Sequence, residues 1–352
     1  MLKYLQGFIG GRERPESRFT ARRRDAAPEE VSVEGAPAFA LRQHLVVHNG
    51  YPILDQGAVG KWIDSVPELA KRRVWEACER AWLLHFRDAL GPSFHYDEAA
   101  TAAVLSSLDA PVSNAILQYM ERTLKRIVTV LEELAKAPEW GKDFLIVFDD
   151  QQQYYHYVSF YYPENGEFGF SGGMYISRGA GHFVTVKDDL RAIEPTIAHE
   201  MTHACLSHLP LPLWLNEGIA VNTESRLVRP PSRLATPQQM HDKQRRFWGE
   251  SGIQQFWSGK SFGRPDEGQE LSYDLARVIV EQLAKDWGPF KRFVAAADFR
   301  DGGAAAAREH LGTSLGSIAT ALLEKDASPP WDPEPERWEV TLDDTRRSAS
   351  TA

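Results

Sequence analysis

One short stretch, HEMTHACLSHLPLPLWLNEGIA at positions 199–220, constrains the fold more than any other part of this chain. On a helix, His199 and His203 lie one turn apart on the same face, so both imidazoles can reach one metal ion. Pro195 suits the first turn of that helix, where its missing N–H is not needed. Glu200 is rotated to one side of this face, where it can act on water as a general base. The fold must then bring a further ligand back onto the helix.

A catalytic zinc site needs a third protein ligand, and two residues compete for that role. His208 would extend the histidine pattern, but it comes one position early, and Leu206 stands where such a pattern needs a turn glycine. Glu217 follows the loop 209–213, whose two prolines end the first helix. A second helix that opens at this point can return antiparallel and direct the Glu217 carboxylate to the metal. The alternative is that Glu217 only stabilises the N-terminus of the second helix.

Composition excludes several other classes of protein. The net charge of −9 argues against a surface for nucleic acid or for an anionic membrane. Cys78 and Cys205 are the only cysteines and lie far apart, which excludes a disulfide framework and a cysteine zinc site. No apolar run is long enough to span a bilayer, and the N-terminus lacks the features of a secretory signal. We therefore expect a cytoplasmic protein that binds neither nucleic acid nor membrane, and its oligomeric state stays open.

The character of the sequence divides the chain into four parts. The first part is polar and contains a cluster of arginines, which predicts a disordered tail. The second part contains two amphipathic helices, VPELAKRRVWEACERAWLLHF and AILQYMERTLKRIVTVLEELAK. The last part is rich in proline and acidic residues, which predicts a tail or a docking segment. The predicted ranges are 1–36 for the first tail, 37–142 for a helical N-terminal region, 143–326 for a catalytic domain and 327–352 for the C-terminal tail.

Strands precede helices within the predicted catalytic domain. DFLIVFDD predicts a buried strand, and FGFSGGMYIS and HFVTV predict two more. The apolar spacing then becomes helical in PTIAHEMTHACL, NEGIAVNTESRL, YDLARVIVEQLAKDW, FKRFVAAA and GSIATALLEK. This order predicts an α+β fold, with a cleft where the two halves meet.

HEMTH followed by WLNEG resembles the gluzincin metallopeptidases, which are peptidase MA-like, and especially their aminopeptidase and leukotriene-hydrolase branch. The resemblance covers about residues 143–320, and the loop between the two motifs is shorter here than in that branch. It implies a thermolysin-like core, in which a mixed β-sheet lobe with an edge strand over the cleft is followed by a helical lobe. It also implies one Zn²⁺ per chain, with His199, His203 and Glu217 as ligands and Glu200 as the general base.

Three more positions of the branch have counterparts in this sequence. Glu224 fills the position of a glutamate that supports the metal ligands, and Asn216 directly precedes the third ligand. Tyr273 stands in SYDLARVIVEQLAKDWG, where the branch places a tyrosine that stabilises the oxyanion. The resemblance therefore implies supporting roles for Glu224 and Asn216 and a catalytic role for Tyr273.

The sequence departs from the branch in the strand that binds the substrate. Gly172, Gly173, Met174 and Tyr175 match its glycine-rich G-x-M-E-N strand, so they are the candidate substrate-binding residues. Tyr175 replaces the acidic residue that holds the free amino terminus of a substrate. Because a tyrosine cannot neutralise an ammonium group, we expect an endopeptidase-like enzyme rather than an aminopeptidase.

The expected function is hydrolysis of peptide bonds in a peptide or protein substrate. One alternative is a non-catalytic interaction protein that keeps the zinc site for structure, although such a site has no use for the general base Glu200. Another is an aminopeptidase or a zinc enzyme that hydrolyses a different amide. His182 and Arg277 are weaker candidates for residues of the site. The tyrosine-rich segment QQQYYHYVSFYYP is more typical of a packed surface than of a binding platform.

Overall fold

The computed structural model describes residues 24–161, 173–176, 180–188, 190–228, 235–326 and 331–338. Within these ranges, the strands are β1 (Leu45–His48), β2 (Tyr51–Leu54), β3 (His95–Glu98), β4 (Ala102–Ser106), β5 (Asp143–Phe148), β6 (Gly173–Ile176) and β7 (His182–Val186). The helices are α1 (Gln56–Asp64), α2 (Glu68–Leu90), α3 (Ala110–Leu131), α4 (Gln151–Val158), α5 (Leu190–Leu206), α6 (Leu213–Leu227), α7 (Pro237–Phe247), α8 (Glu250–Trp257), α9 (Gly268–Leu283), α10 (Trp287–Ala296), α11 (Ala304–Leu311) and α12 (Leu315–Leu323).

Five strands form one mixed sheet in the order β3-β4-β5-β7-β6. The central strands β4, β5 and β7 run parallel, whereas β3 and β6 pair antiparallel with their neighbours. β6 is the outermost strand on its side among the described residues. A lobe of helices follows the sheet from α5 onward, so the predicted α+β architecture is confirmed.

The two faces of the sheet enter two different cores. On β5, Leu145 and Val147 pack into one core together with α3, α5 and helices of the C-terminal lobe. Phe144, Ile146 and Phe148 point the other way, into a core with α2, α4 and the β1-β2 hairpin. Successive side chains of a strand alternate between its faces, and a strand buried on both faces is apolar throughout. This burial explains the unbroken apolar run DFLIVF.

The N-terminal region, 37–142, contributes strands as well as the two predicted helices. α2 and α3 lie where the amphipathic patterns predict helices. β3 and β4 belong to the same region and pair with β5 in a single sheet. The structure therefore differs from the predicted boundary at 142/143, which falls inside a sheet. All five residues of β4, AAVLS, are buried, and the strand is too short and too rich in alanine to show a strand pattern.

Both predicted tails contain packed residues. Val31 is 3% exposed and belongs to the same core as the buried face of α2. The prediction of a disordered tail is therefore wrong over residues 24–36. Trp331 is 6% exposed and belongs to the core of the helical lobe. Residues 331–338 thus form a docked segment, which is one of the two predictions for this end of the chain. Buried apolar side chains help to anchor both segments, and the remainder of each tail lies outside the described residues.

The outer strand β6 lies very close to α5, the helix that carries the two histidines. A Cβ atom added at Gly173 would lie 2.4 Å from Cγ2 of Thr196 on α5 and 2.9 Å from the carbonyl oxygen of Val184 on β7. Only glycine permits this approach, because any side chain would collide with both neighbours. Gly173 therefore sets the distance between the sheet and the helix.

A second close contact joins α6 to α9 within the helical lobe. A Cβ atom added at Gly218 on α6 would lie 2.6 Å from the carbonyl oxygen of Ala276 on α9. One turn later, the Asn222 side-chain amide donates a hydrogen bond of 2.9 Å to the carbonyl oxygen of Arg277. These contacts fix the two helices relative to each other. No helix in the described ranges is both long and apolar enough to cross a bilayer.

The contact at Gly218 predicts the effect of adding one methyl group. We expect Gly218→Ala to lower the free energy of unfolding by about 1–3 kcal/mol, because α9 must move away from α6. Gly60 on α1 is the matched control, since a Cβ atom there would meet nothing within 4 Å. Gly60→Ala should leave the stability unchanged or raise it by up to about 1 kcal/mol. Urea denaturation of both variants measures the difference, and an equal effect at the two positions would contradict the close contact.

Candidate metal centre

α5 carries two of the predicted metal ligands. His199 and His203 lie one turn apart on this helix, with their ring centroids 4.8 Å apart. The helix begins at Leu190, so Pro195 lies inside α5, and its predicted place in the first turn is wrong. A proline at this depth costs the helix one backbone hydrogen bond. The histidines follow the proline by one turn and by two turns, where the helix is regular.

α6 supplies the third member of the group. This helix begins at Leu213, so Glu217 lies beyond its first turn. The sequence predicts instead that the helix opens at Glu217, and that prediction is wrong. Glu217 is only 9% exposed, and its carboxylate faces α5. This position excludes the alternative in which Glu217 only stabilises the N-terminus of the helix.

The three side chains direct one atom each to a common point. Nε2 of His199 lies 3.1 Å from Oε2 of Glu217, and Nε2 of His203 lies 3.4 Å from the same oxygen. The two Nε2 atoms are 3.1 Å apart. Among the described residues, this is the one group of histidine, cysteine and acidic side chains whose geometry could hold a metal ion.

The other ring nitrogens of the histidines have partners of their own. Nδ1 of His199 lies 3.2 Å from Oε2 of Glu224, and Nδ1 of His203 lies 3.0 Å from Oδ1 of Asn216. Carboxylate and amide oxygens only accept hydrogen bonds, so each Nδ1–H must be the donor. In a neutral imidazole, the lone pair then lies on Nε2 and points to the shared point. Glu224 and Asn216 thus contact the ring nitrogens that face away from the shared point.

This donor set fits a divalent metal ion. Two imidazole lone pairs and a carboxylate oxygen that face one another at 3.1–3.4 Å repel unless positive charge lies between them. Burial raises the pKa of Glu217, but hydrogen bonds and positive charge from His203 and His199 outweigh it and hold the pKa well below its usual range, so the carboxylate is ionised whether protons or a metal ion supply that charge. Two nitrogen ligands and one oxygen ligand are a combination that zinc accepts in catalytic sites.

Glu200 lies beside the ligand group and is not part of it. Burial raises the pKa of the Glu200 carboxyl, and the nearby His199 and His203 oppose that rise. The backbone of Tyr175 on β6 opposes the rise as well, so Glu200 faces the outer strand of the sheet.

Tyr273 approaches the group from α9. Burial raises the pKa of its hydroxyl, and the charges of Glu217 and Glu200 raise it further, so the phenol stays protonated at neutral pH. Its ring packs edge-on against Phe262, with 5.1 Å between the centroids. The hydroxyl has no hydrogen-bond partner among the described residues, which leaves it free to donate.

The predicted substrate-binding residues have different environments. Gly173 packs against α5, and Met174 packs against the core on the opposite face of the sheet, so its side chain points away from the ligand group. The Tyr175 ring lies 5.2 Å from the ring of Phe183, and its hydroxyl lies over Gly181. Gly173 and Met174 therefore present no side chain to the ligand group. Gly172 lies outside the described residues.

The weaker candidates lie elsewhere. His208 is exposed near the end of α5 and does not belong to the ligand group. His182 is fully buried, where its Nδ1 donates to the Ala180 carbonyl and its Nε2 accepts from Tyr157. This burial lowers the pKa of His182 to about 4. Arg277 forms ion pairs with Asp274 and Glu281.

Gly218, Asn222 and Trp214 are the residues of the site that the sequence did not identify. Gly218 and Asn222 lock α6 to α9, and Trp214 anchors the start of α6 through a hydrogen bond of 3.0 Å to the carbonyl oxygen of Gly302. A glycine and an asparagine one turn apart inside an apolar helix were the available signal, because neither residue favours a helix interior.

Neither a protein-family model nor a curated protein matches the chain. The chemical interpretation of the ligand group therefore depends on the side chains and distances described above.

The ligand geometry predicts how substitutions change metal content. We expect one zinc ion per chain, largely lost in Glu217→Ala because two histidines alone bind the ion weakly. His208→Ala is the control, and it should leave the zinc content unchanged because His208 lies outside the group. Elemental analysis of the purified proteins measures both. An empty site in the His208 variant, with a full site in the Glu217 variant, would contradict this ligand assignment.

Proposed function

We propose that this protein is a zinc-dependent peptide hydrolase with a thermolysin-like, gluzincin-type core. The observation that supports the proposal most is the convergence of two Nε2 atoms and a carboxylate oxygen at 3.1–3.4 Å, with Glu200 and Tyr273 beside them. A structural zinc site normally has four protein ligands, whereas a catalytic site has three and leaves one position open. The group described here has three members.

His199, His203 and Glu217 would hold the ion. When bound, zinc supplies Lewis acidity, which lowers the pKa of water and polarises a carbonyl group. Glu224 and Asn216 keep both histidines in the tautomer that presents Nε2. Their hydrogen bonds also fix the ring orientations, so little reorganisation is needed for binding.

Glu200 is the general base in this proposal. The charges of both histidines and the backbone of Tyr175 act on the pKa of its carboxyl, so the side chain lies close to the ligand group. Burial favours the protonated carboxyl, so the group accepts a proton from water and then retains it long enough to deliver it to the leaving amine. A raised pKa is suited to this double role.

Tyr273 is the donor to the oxyanion. Its hydroxyl keeps its proton at neutral pH and has no partner among the described residues. A protonated phenol can donate to the carbonyl oxygen as negative charge develops there. The close contact between α6 and α9 sets the position of this hydroxyl relative to Glu217.

The substrate class follows from β6. This strand is outermost among the described residues, and we propose that an extended peptide lies along its backbone. Tyr175 offers no negative charge for a free amino terminus, which favours internal cleavage of a peptide or protein. We also propose a reducing, cytoplasmic setting, which the two buried free cysteines support.

Glu200→Gln and Tyr273→Phe test the two catalytic assignments. Glu200→Gln should keep its zinc and lose about 10²–10⁴-fold in turnover, because an amide cannot accept the proton of water. Tyr273→Phe should also keep its zinc and lose about 10²–10³-fold in turnover. Tyr96→Phe is a control, since Tyr96 lies on β3 and donates to Glu98. Turnover of a fluorogenic peptide is measured beside zinc content, and full activity in the Tyr273 variant would assign the donor role elsewhere.

Matched peptides test which end of the substrate is bound. Burial of an ammonium group without a countercharge is costly, so a free amino terminus should gain nothing at Tyr175. An acetylated peptide with an internal cleavage site should be hydrolysed at least as fast as its unblocked form. Tyr175→Glu should shift the preference toward free amino termini. A strong preference of the wild type for the unblocked peptide would contradict the endopeptidase assignment, and Glu200→Gln controls for contaminating peptidases.

A further inference from the structure

The segment 331–338, which we call the C-terminal strap, is held by one buried glutamine of α8. The side-chain amide of Gln254 donates to the carbonyl oxygen of Asp332 at 2.7 Å. Its Oε1 accepts from the backbone N–H of Glu334 at 2.9 Å and from the indole N–H of Trp338 at 3.1 Å. Both polar atoms of this side chain thus bond to the strap, and Gln254 is 6% exposed. A buried amide satisfied in this way defines a single position for the strap.

The strap reaches Trp214 by two separate routes. Trp338 and Pro333 pack on Gly302, where an added Cβ atom would lie 3.1 Å and 3.3 Å from their rings. The carbonyl oxygen of Gly302 accepts the hydrogen bond of the Trp214 indole at 3.0 Å. The second route passes through Trp257, whose indole donates to the carbonyl oxygen of strap residue Trp331 and packs edge-on against Trp214.

Trp214 lies in the first turn of α6, the helix that carries the proposed third metal ligand. It is fully buried, and Asn216 and Glu217 follow two and three residues later. Asn216 orients His203, and Glu217 meets both histidines. A shift of the Trp214 indole would rotate the first turn of α6 and displace the side chains of Asn216 and Glu217.

We propose that the C-terminal strap is a positioning element for the metal centre, which acts through Trp214 on Asn216 and Glu217. This inference rests on the proposed zinc site. A strap in place keeps the Gly302 carbonyl and the Trp257 ring against Trp214, and so keeps the ligand group assembled. When the strap is released, α6 gains freedom at its N-terminus and the ion leaves faster. The strap residues are positioning residues and do not touch the reacting atoms.

Trp338→Ala in the full-length, zinc-loaded protein tests this proposal. We expect zinc release to an excess of a chromophoric chelator to become about tenfold faster, the lower end of the usual effect of groups that orient metal ligands. Amide hydrogen exchange over residues 213–217 should also rise. Gln254→Met, which keeps the shape of the side chain but removes its three hydrogen bonds to the strap, should have the same effects.

Trp62→Ala is the matched control. The Trp62 indole also donates to a backbone carbonyl, that of Pro37 at 2.9 Å, but it lies in the core on the other face of the sheet. This variant should lose stability in urea without faster zinc release. Equal acceleration in the Trp62 and Trp338 variants, or wild-type release and exchange in both strap variants, would overturn the proposal. A wild-type protein that binds no zinc, but whose α6 exchange rises in the strap variants, would instead overturn the proposed function.

Discussion

The position of α6 is the constraint on which the rest of the site depends. Glu217 can meet two imidazoles only if this helix lies at the right depth against α5, and Gly218, its neighbour in sequence, has no side chain because α9 lies against it. Consecutive residues of one helix therefore face opposite partners. The same contact brings Tyr273 on α9 toward the ligand group, so that one crossing of helices sets both the candidate ligands and the proposed oxyanion donor.

Local spacing was enough to predict the part of the site on α5. Two histidines four positions apart share a helix face in any fold, and the structure places them so. The choice of Glu217 over His208 depends on a second helix that runs back along α5. The two prolines of the loop, which end α5, made that second helix predictable. The catalytic assignments of Glu200 and Tyr273 remain predictions, because the geometry shows the positions of these groups and activity measurements test their roles.

Other features could not be read from the sequence, because they depend on contacts between distant segments. The short strand β4 has no alternating pattern, since both of its faces are buried. Gly173 matches a substrate-binding motif, yet its need to be glycine comes from Thr196 on a different element. Val31 and Trp331 are buried apolar side chains within largely polar sequence, so composition alone assigns both segments to tails. Pro195 was placed too early, because the helical residues before it lack a clear apolar stripe.

The sheet that spans the predicted boundary also sets the smallest piece of this chain that can fold. A fragment that starts at residue 143 would carry β5 with one hydrogen-bonding edge open, where β4 pairs in the whole protein. It would lack α2 and α3, which cover the two apolar faces of that strand. Open edges and bare apolar faces lead to association between chains. α5 and the candidate metal ligands therefore depend on the N-terminal half of the chain for folding, even though none of the candidate site residues lies there.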